Sequence, residues 1–167
     1  MDRNMINNNR FTRILPYGPG SQEPPELLVI HAMAEFIDYN GEILSAFDLL
    51  TRLRLSAHKL AYPSGVIQTT RHDLQGAWHA KGFNTKSLGI EVLVPGVHDY
   101  NSFLKAMQED WVGETQYQAV LADCQEWMKL WPIKRVETHH NLDPTRKYDP
   151  GPGFPMKRLI GDLQWHQ

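Results

Sequence analysis

The segment from Thr138 to Gly151 reads THHNLDPTRKYDPG, and it brings a histidine, a lysine and an aspartate into one short stretch. Far upstream, the apolar run from Leu27 to Ile30 is typical of a buried β-strand and would hold His31 rigidly at its tip. Two imidazoles and one carboxylate suit a catalytic zinc ion, because three protein ligands leave a fourth position for water. The pattern favours a metallohydrolase whose fold brings these distant segments together.

Ligand types alone leave a second interpretation open, because histidines also serve as hydrogen-bonded core or surface groups. The sequence contains no His-Glu-x-x-His helix motif. Its single cysteine, Cys124, excludes the usual cysteine-rich structural zinc sites and is consistent with a reducing compartment.

Length and composition indicate one soluble globular domain. The chain has 167 residues, of which 41% are hydrophobic and 22% are charged, enough to bury a substantial core. Its net charge of -2 argues against a nucleic-acid partner, which normally needs a basic face. The N-terminus lacks the apolar core of a secretory signal, and no segment approaches the roughly 20 apolar residues of a membrane span. We therefore expect a cytoplasmic monomer that does not insert into membranes.

The predicted elements indicate an α/β fold with a central, mostly buried mixed β-sheet flanked by helices. Residues 1–26 are polar and turn-rich, which predicts an N-terminal arm or loop, and residues 27–167 would form the catalytic domain. Beyond the first strand, the patterns predict a helix over 43–53, a hairpin of strands 56–62 and 66–70, a strand over 88–94, a helix from 115 to Pro132, a strand over 135–139, and a rigid loop over 150–155 before a short tail.

Six short motifs resemble a known family in their order and spacing. They are Val29–His31, Leu55–His58, Gly65–Gln68, Ala77–Ala80, Asn84 with Ser87–Glu91, and Pro144–Gly151. From Leu27 to Phe154 the chain is similar to the zinc-dependent N-acetylmuramoyl-L-alanine amidases of the type 2 family, whose superfamily includes peptidoglycan recognition proteins and phage lysozyme-like amidases. The resemblance implies that fold, and hydrolysis of the amide bond between N-acetylmuramic acid and L-alanine in peptidoglycan or its fragments.

The resemblance also implies one Zn2+ ion held by His31, His139 and Asp149. His139 is preferred over His140, because the family places its histidine five residues before a proline and ten before the aspartate, as His139 is here. An aspartate at the third ligand position resembles the cytosolic bacterial amidases, whereas phage and animal relatives often carry a cysteine there.

Two catalytic roles follow from the same resemblance. Glu91 would orient the attacking water, take its proton and deliver one to the leaving nitrogen. Lys147 would stabilise the oxyanion that forms on the amide carbonyl. The alternatives are an ordinary carboxylate paired with a cation inside the sheet for Glu91, and a solvated loop cation for Lys147.

Four further residues are candidates for substrate binding. In relatives, an arginine at the position of Arg54 binds a carboxylate of the stem peptide, although a surface salt bridge is an equal alternative. Trp78, His79 and Asn84 belong to a loop that borders the substrate groove in relatives. His58, by contrast, is expected to be a hydrogen-bonded core residue.

The same residues also fit two other functions. A non-catalytic peptidoglycan-binding module and a metallohydrolase of a different amide or ester are the alternatives. Ala32 and Lys81–Phe83 depart from the recycling enzymes, which leaves open whether the substrate is intact peptidoglycan or an anhydromuropeptide. A phage lysin that reaches the wall through a membrane lesion and a bacterial recycling enzyme both fit the sequence.

Overall fold

The computed structural model of the protein describes residues 9–164. The elements along the chain are β1 (Arg10–Thr12), β2 (Leu27–Ile37), β3 (Ile43–Leu44), α1 (Ala46–Arg52), β4 (Lys59–Ala61), β5 (Ile67–Thr69), β6 (Ser87–His98), α2 (Tyr100–Ala106), α3 (Glu114–Leu130), β7 (Arg135–Thr138), α4 (His139–Leu142) and α5 (Met156–Gln164). Among the helices of this part of the chain, none has the length and hydropathy of a bilayer span.

The strands form one mixed sheet, as the sequence predicts. Its order is β1-β5-β4-β6-β2-β3, and β7 also pairs with β2. The central strand β2 is parallel to both β6 and β7, whereas β4 and β5 form the predicted antiparallel hairpin. Gly65 has a φ of +88° in the hairpin turn, a conformation that glycine adopts without a steric penalty. The single-domain α/β prediction is confirmed.

Both faces of the sheet are covered, because alternate side chains of its long strands point to opposite sides. One face includes Ile30 and Ile90 and packs in a cluster with α3 and α5, where Trp127 is almost fully buried. The other face includes Met33 and Leu93 and packs against α1. The predicted burial of the strand over 88–94 on both faces is confirmed, and any charged group between these layers needs a partner or a function.

The first predicted helix is shorter than expected. Its first two residues, Ile43–Leu44, pair with β2 as the strand β3, and the helix itself begins at Ala46. Ser45 determines this start because its hydroxyl accepts the backbone N–H of Asp48 at 3.1 Å, as an N-cap residue does.

Elements absent from the prediction include α5, α2 and β1, as well as the short helix α4 that begins at His139. The supposed tail contains α5, where Leu159 and Leu163 lie four residues apart and are both buried, so the prediction of a tail was wrong. A capping box at Asp99 begins α2. Within the predicted arm, β1 pairs with β5 and Leu15 is fully buried. The division into arm and catalytic domain stays a prediction.

Candidate functional site

The register of the central strands gathers the chemically important side chains. In β2, Ile30 pairs with Thr138, the last residue of β7, and His139 follows directly at the start of α4. His31, the next residue of β2, pairs with Glu91 of β6. Directly paired residues of a sheet point to the same face, so His31 and Glu91 lie side by side. Residues from three separate parts of the sequence thus meet at one position in the sheet.

Asp149 completes a close triangle of possible ligand atoms. The Nδ1 atoms of His31 and His139 lie 3.0 Å apart, and Asp149 Oδ2 lies 3.3 Å from the first and 3.2 Å from the second. A tetrahedral zinc ion with bonds of 2.0–2.1 Å would separate two of its ligand atoms by about 3.3 Å. The three groups therefore have the spacing and the donor types that a zinc ion requires.

His140 lies outside this triangle. Its side chain is exposed, and its Nδ1–H donates to the carbonyl oxygen of Lys147 at 2.5 Å. Its backbone N–H donates to the carbonyl oxygen of Asp149 at 2.9 Å. His140 thus tethers the loop that carries the lysine and the aspartate, and His139 is the histidine that faces His31.

Burial and hydrogen bonding set the charge states of the triangle. Burial opposes ionisation of Asp149, but the adjacent imidazoles of His139 and His31 outweigh it, so the pKa of Asp149 lies well below its ordinary value. Burial lowers the pKa of His31, although the adjacent Asp149 carboxylate opposes the shift. An ionised carboxylate and a neutral imidazole are the forms that bind a metal ion.

Glu91 is a nearly buried carboxyl group beside the triangle. Its Oε1 lies 4.0 Å from His31 Nδ1, and only 8% of the residue is exposed. Burial, and next the negative charge of Asp149, raise the pKa of Glu91 well above its ordinary value, while Lys147 opposes the shift. A carboxyl group whose proton affinity is raised in this way is suited to proton transfer near neutral pH.

Lys147 reaches the same site from the loop between α4 and Asp149. Its backbone N–H donates to the carbonyl oxygen of Asp143 at 2.9 Å, and its own carbonyl oxygen accepts from His140. Its ammonium group forms no salt bridge within residues 9–164, and the side chain lines the groove that contains the triangle. A cation in this position is available to an anionic group of a ligand.

The triangle lies in an open groove of about 650 Å³. Arg54 and Trp78, which the resemblance implies as substrate-binding residues, both line it. Arg54 follows α1 with a φ of 55°, and its guanidinium group lies 5.8 Å from the ring of Tyr17. Trp78 is 41% exposed, so one part of its indole is open to a ligand. Both residues are positioned to contact a bound molecule.

Asn84 and His79 also line the groove, but their polar atoms contact the protein itself. Asn84 Oδ1 accepts the backbone N–H groups of His79 at 2.9 Å and Ala80 at 2.8 Å, which fixes the loop that carries Trp78. His79 is 9% exposed, and its ring lies between His31 and Ser87. Ser87 appeared in the sequence only as part of a motif, with no sign of this contact.

The groove is also lined by residues that the sequence did not single out as site residues, among them Lys81, Tyr100, Arg146 and Tyr148. Tyr100 and Tyr148 are both more than half exposed, and Arg146 pairs with Asp143. These residues lie in loops or at a helix start, where sequence periodicity gives no signal of which side chains share a cavity.

His58 is a core residue, as predicted. It is fully buried, its Nδ1 accepts the backbone N–H of Gly89 at 3.1 Å, and its Nε2–H donates to the carbonyl oxygen of Gln75 at 2.8 Å. Both ring nitrogens are therefore used within the fold. Burial lowers the pKa of His58 to about 4, so the ring is neutral at physiological pH.

The sequence model described as N-acetylmuramoyl-L-alanine amidase (Amidase_2) matches residues 21–152. No curated protein sequence matches the chain.

Solved structures share the fold. A selenomethionine derivative of AmpD is 24% identical, with a TM-score of 0.69 over 93% of this chain and 95% of that one. The N-acetylmuramoyl-L-alanine amidase LysC from Clostridium intestinale is 17% identical, with a TM-score of 0.68 over 93% and 97%. The Escherichia coli amidase AmiD, in complex with the substrate anhydro-N-acetylmuramic acid-L-Ala-D-gamma-Glu-L-Lys, is 23% identical, with a TM-score of 0.64 over 85% and 58%.

Proposed function

Because the chain belongs to the N-acetylmuramoyl-L-alanine amidase family, we propose that His31, His139 and Asp149 hold one zinc ion in the groove of an active amidase. The enzyme hydrolyses the amide bond between N-acetylmuramic acid and L-alanine. The observation that carries the zinc proposal is the triangle of ligand atoms, whose edges of 3.0, 3.3 and 3.2 Å suit tetrahedral coordination. An ion bound there would polarise the amide carbonyl group and lower the pKa of a water molecule toward about 7.

Glu91 is the proposed proton carrier. Its carboxylate would take a proton from the attacking water as the new carbon–oxygen bond forms, and deliver a proton to the leaving nitrogen as the carbon–nitrogen bond breaks. Its raised pKa and its position beside His31 support this role, because the group can both accept and release a proton. The products are a lactyl carboxylic acid and a stem peptide with a free L-alanine amine.

Lys147 is the proposed oxyanion stabiliser. Negative charge develops on the amide oxygen during attack, and a single well-placed donor for such a charge contributes roughly 3 kcal/mol to the transition state. The tethered loop supports this role, because contacts to Asp143 and His140 hold the Lys147 backbone before the substrate arrives. An ordered loop backbone reduces the entropy that this donor loses when it engages the substrate.

The substrate would be a muropeptide or peptidoglycan. We propose that Arg54 binds a stem-peptide carboxylate in a bidentate manner and that Trp78 packs on a sugar or peptide. Asn84 and His79 would support the loop that carries Trp78. The AmiD complex contains an anhydromuropeptide, which makes that class the first substrate to test. Every proposed site residue comes from one chain, so a monomer would suffice. The single cysteine, Cys124, is buried and unpaired, which is consistent with a reducing compartment.

A combined metal and product assay tests the proposed site. Purified protein is loaded with zinc, its metal content is measured by mass spectrometry, and peptide release is followed on anhydromuropeptides and on intact peptidoglycan. The matched variants are His139→Ala and His140→Ala, which remove neighbouring imidazoles from different positions. We expect one zinc ion per chain and cleavage in the wild type and in His140→Ala, and loss of both in His139→Ala.

Two outcomes would contradict the proposal. Full zinc content in His139→Ala would refute the ligand assignment. Stoichiometric zinc without cleavage of either substrate would favour a binding module over an enzyme. The ratio of rates on the two substrates would separate a recycling function from lysis of the wall.

A further inference from the structure

A chain of buried hydrogen bonds leads from His31 away from the groove. His31 Nε2 lies 2.9 Å from His79 Nδ1, and His79 Nε2 lies 2.8 Å from Ser87 Oγ. The Ser87 hydroxyl group then reaches the backbone carbonyl oxygen of Phe83. His31, His79 and Ser87 are all buried, so solvent does not compete for these contacts. This series of hydrogen bonds therefore ends on a carbonyl oxygen, which can only accept.

The Phe83 carbonyl oxygen fixes the direction of every bond before it. A carbonyl oxygen only accepts, so the Ser87 hydroxyl group donates its hydrogen to it and accepts from His79 Nε2–H. A neutral His79 then has a lone pair on Nδ1, which accepts from His31 Nε2–H. The remaining nitrogen of His31, Nδ1, is left with a lone pair that points toward His139 and Asp149.

We propose that His79 and Ser87 are positioning residues that hold His31 in the one tautomer able to bind the metal ion. The inference rests on the proposed zinc site and deepens it. In the opposite tautomer, a hydrogen on Nδ1 would block the lone pair that faces the triangle. The polar atoms of His79 would therefore act on the substrate only through His31.

Neighbouring groups confine the His79 ring. Its ring packs edge-on between the rings of His31 and His58, at centroid distances of 5.1 and 5.8 Å. A side chain at Gly89 would put its Cβ 2.5 Å from His79 Nδ1, so glycine leaves the space that the ring occupies. Asn84 also holds the His79 backbone N–H. The ring is thus confined on its neighbouring sides.

The imidazoles of His31 and His139 differ in whether a hydrogen bond to the protein selects their tautomer. His139 Nε2 is buried and has no hydrogen-bond partner within residues 9–164, so no comparable contact there selects its tautomer. His31, in contrast, is linked to the Phe83 carbonyl oxygen by the full series of hydrogen bonds through His79 and Ser87. Disrupting the chain should therefore affect zinc binding through His31, while the position of His139 is unchanged.

The test compares His79→Leu with His79→Asn. Leucine fills similar space without an acceptor, whereas the asparagine Oδ1 can occupy the place of the histidine Nδ1 and accept from His31. The zinc dissociation constant is measured by competition with a chromogenic chelator. We expect leucine to weaken zinc binding roughly 10–100-fold, as loss of a group that orients a metal ligand does, and asparagine to recover binding to within about tenfold of the wild type.

Nuclear magnetic resonance of the zinc-loaded wild type gives a second readout that needs no variant. Long-range proton–nitrogen correlations of the imidazole rings should show hydrogen on Nε2 and none on Nδ1 for both His31 and His79. Hydrogen on His79 Nδ1 would overturn the inference. So would wild-type zinc affinity in His79→Leu, or equal affinities in the leucine and asparagine variants. A wild-type protein that binds no zinc would instead refute the proposed metal site itself.

Discussion

The substitution Glu91→Gln removes a charge beside the proposed metal ligands while preserving the shape of the side chain. Glu91 Oε1 lies 4.0 Å from His31 Nδ1, outside the triangle of ligand atoms, so the substitution should leave zinc binding intact. The buried carboxyl group has a raised pKa, and an amide resembles its neutral form in size and packing. The substitution therefore isolates proton transfer from metal binding and folding.

The expected loss follows from the role of the carboxylate. General acid–base catalysis contributes about 10²–10⁴-fold, and each factor of ten corresponds to about 1.4 kcal/mol of transition-state stabilisation. We therefore expect kcat/KM for stem-peptide release to fall by about 10²–10⁴-fold, or about 3–5 kcal/mol, at unchanged zinc content. Peptide release is followed by chromatography with mass detection on the same zinc-loaded samples.

Glu35→Gln provides a matched control. Glu35 lies in β2 four residues beyond His31, and it is exposed. The same chemical change there should leave kcat/KM unaltered. Wild-type kcat/KM in Glu91→Gln at full zinc content would refute the proton-transfer role, and a loss of zinc in that variant would show that Glu91 supports the metal site instead.

Three further predictions concern the loop lysine, the buried carboxyl group and the last helix. Lys147→Met should lower kcat by about 10²–10³-fold with zinc retained, whereas Arg146→Met should not; steady-state kinetics that give equal effects would contradict the oxyanion role. In metal-free protein, burial raises the pKa of Glu91, so the folded state binds its proton more tightly than the unfolded state does. This binding stabilises the fold below about pH 4.3, and the stabilisation is lost as the pH rises through the folded-state pKa. Urea unfolding should show the wild type losing about 1.4 kcal/mol per pH unit in that window relative to Glu91→Gln, and parallel pH curves would exclude the shift. Leu159 in α5 is fully buried, so Leu159→Ala should lower the free energy of unfolding by about 2–5 kcal/mol, and an unchanged unfolding midpoint would contradict the packing of α5.

Sequence reasoning predicted the buried centre of the fold well, because its signals are strong and local. The apolar run before His31 forms the central strand, and the stripe that includes Tyr117 and Trp127 faces the core from α3. The weaker elements were missed for a physical reason. The strand β1 has three exposed residues and exists through pairing with a strand far along the chain, which no local pattern reveals.

In the candidate site, too, some features could be predicted from the sequence and others could not. The ligand types and the spacing from His139 to Asp149 are visible in the sequence, and the apolar run before His31 makes it their candidate partner, as the resemblance to a family also implies. The orientation of His31 is not visible, because it depends on the contact of its ring with His79 and on the bond from His79 to Ser87. Such contacts arise from the register of parallel strands and from loop packing, both of which are tertiary properties.

Anomalous X-ray diffraction at the zinc absorption edge, on crystals of the zinc-loaded protein, would locate the metal ion and identify its ligands. We expect one strong peak per chain, about 2.0–2.2 Å from His31 Nδ1, His139 Nδ1 and one carboxylate oxygen of Asp149. A peak at any other set of side chains, or none at this triangle in protein with full zinc content, would contradict the proposed zinc site.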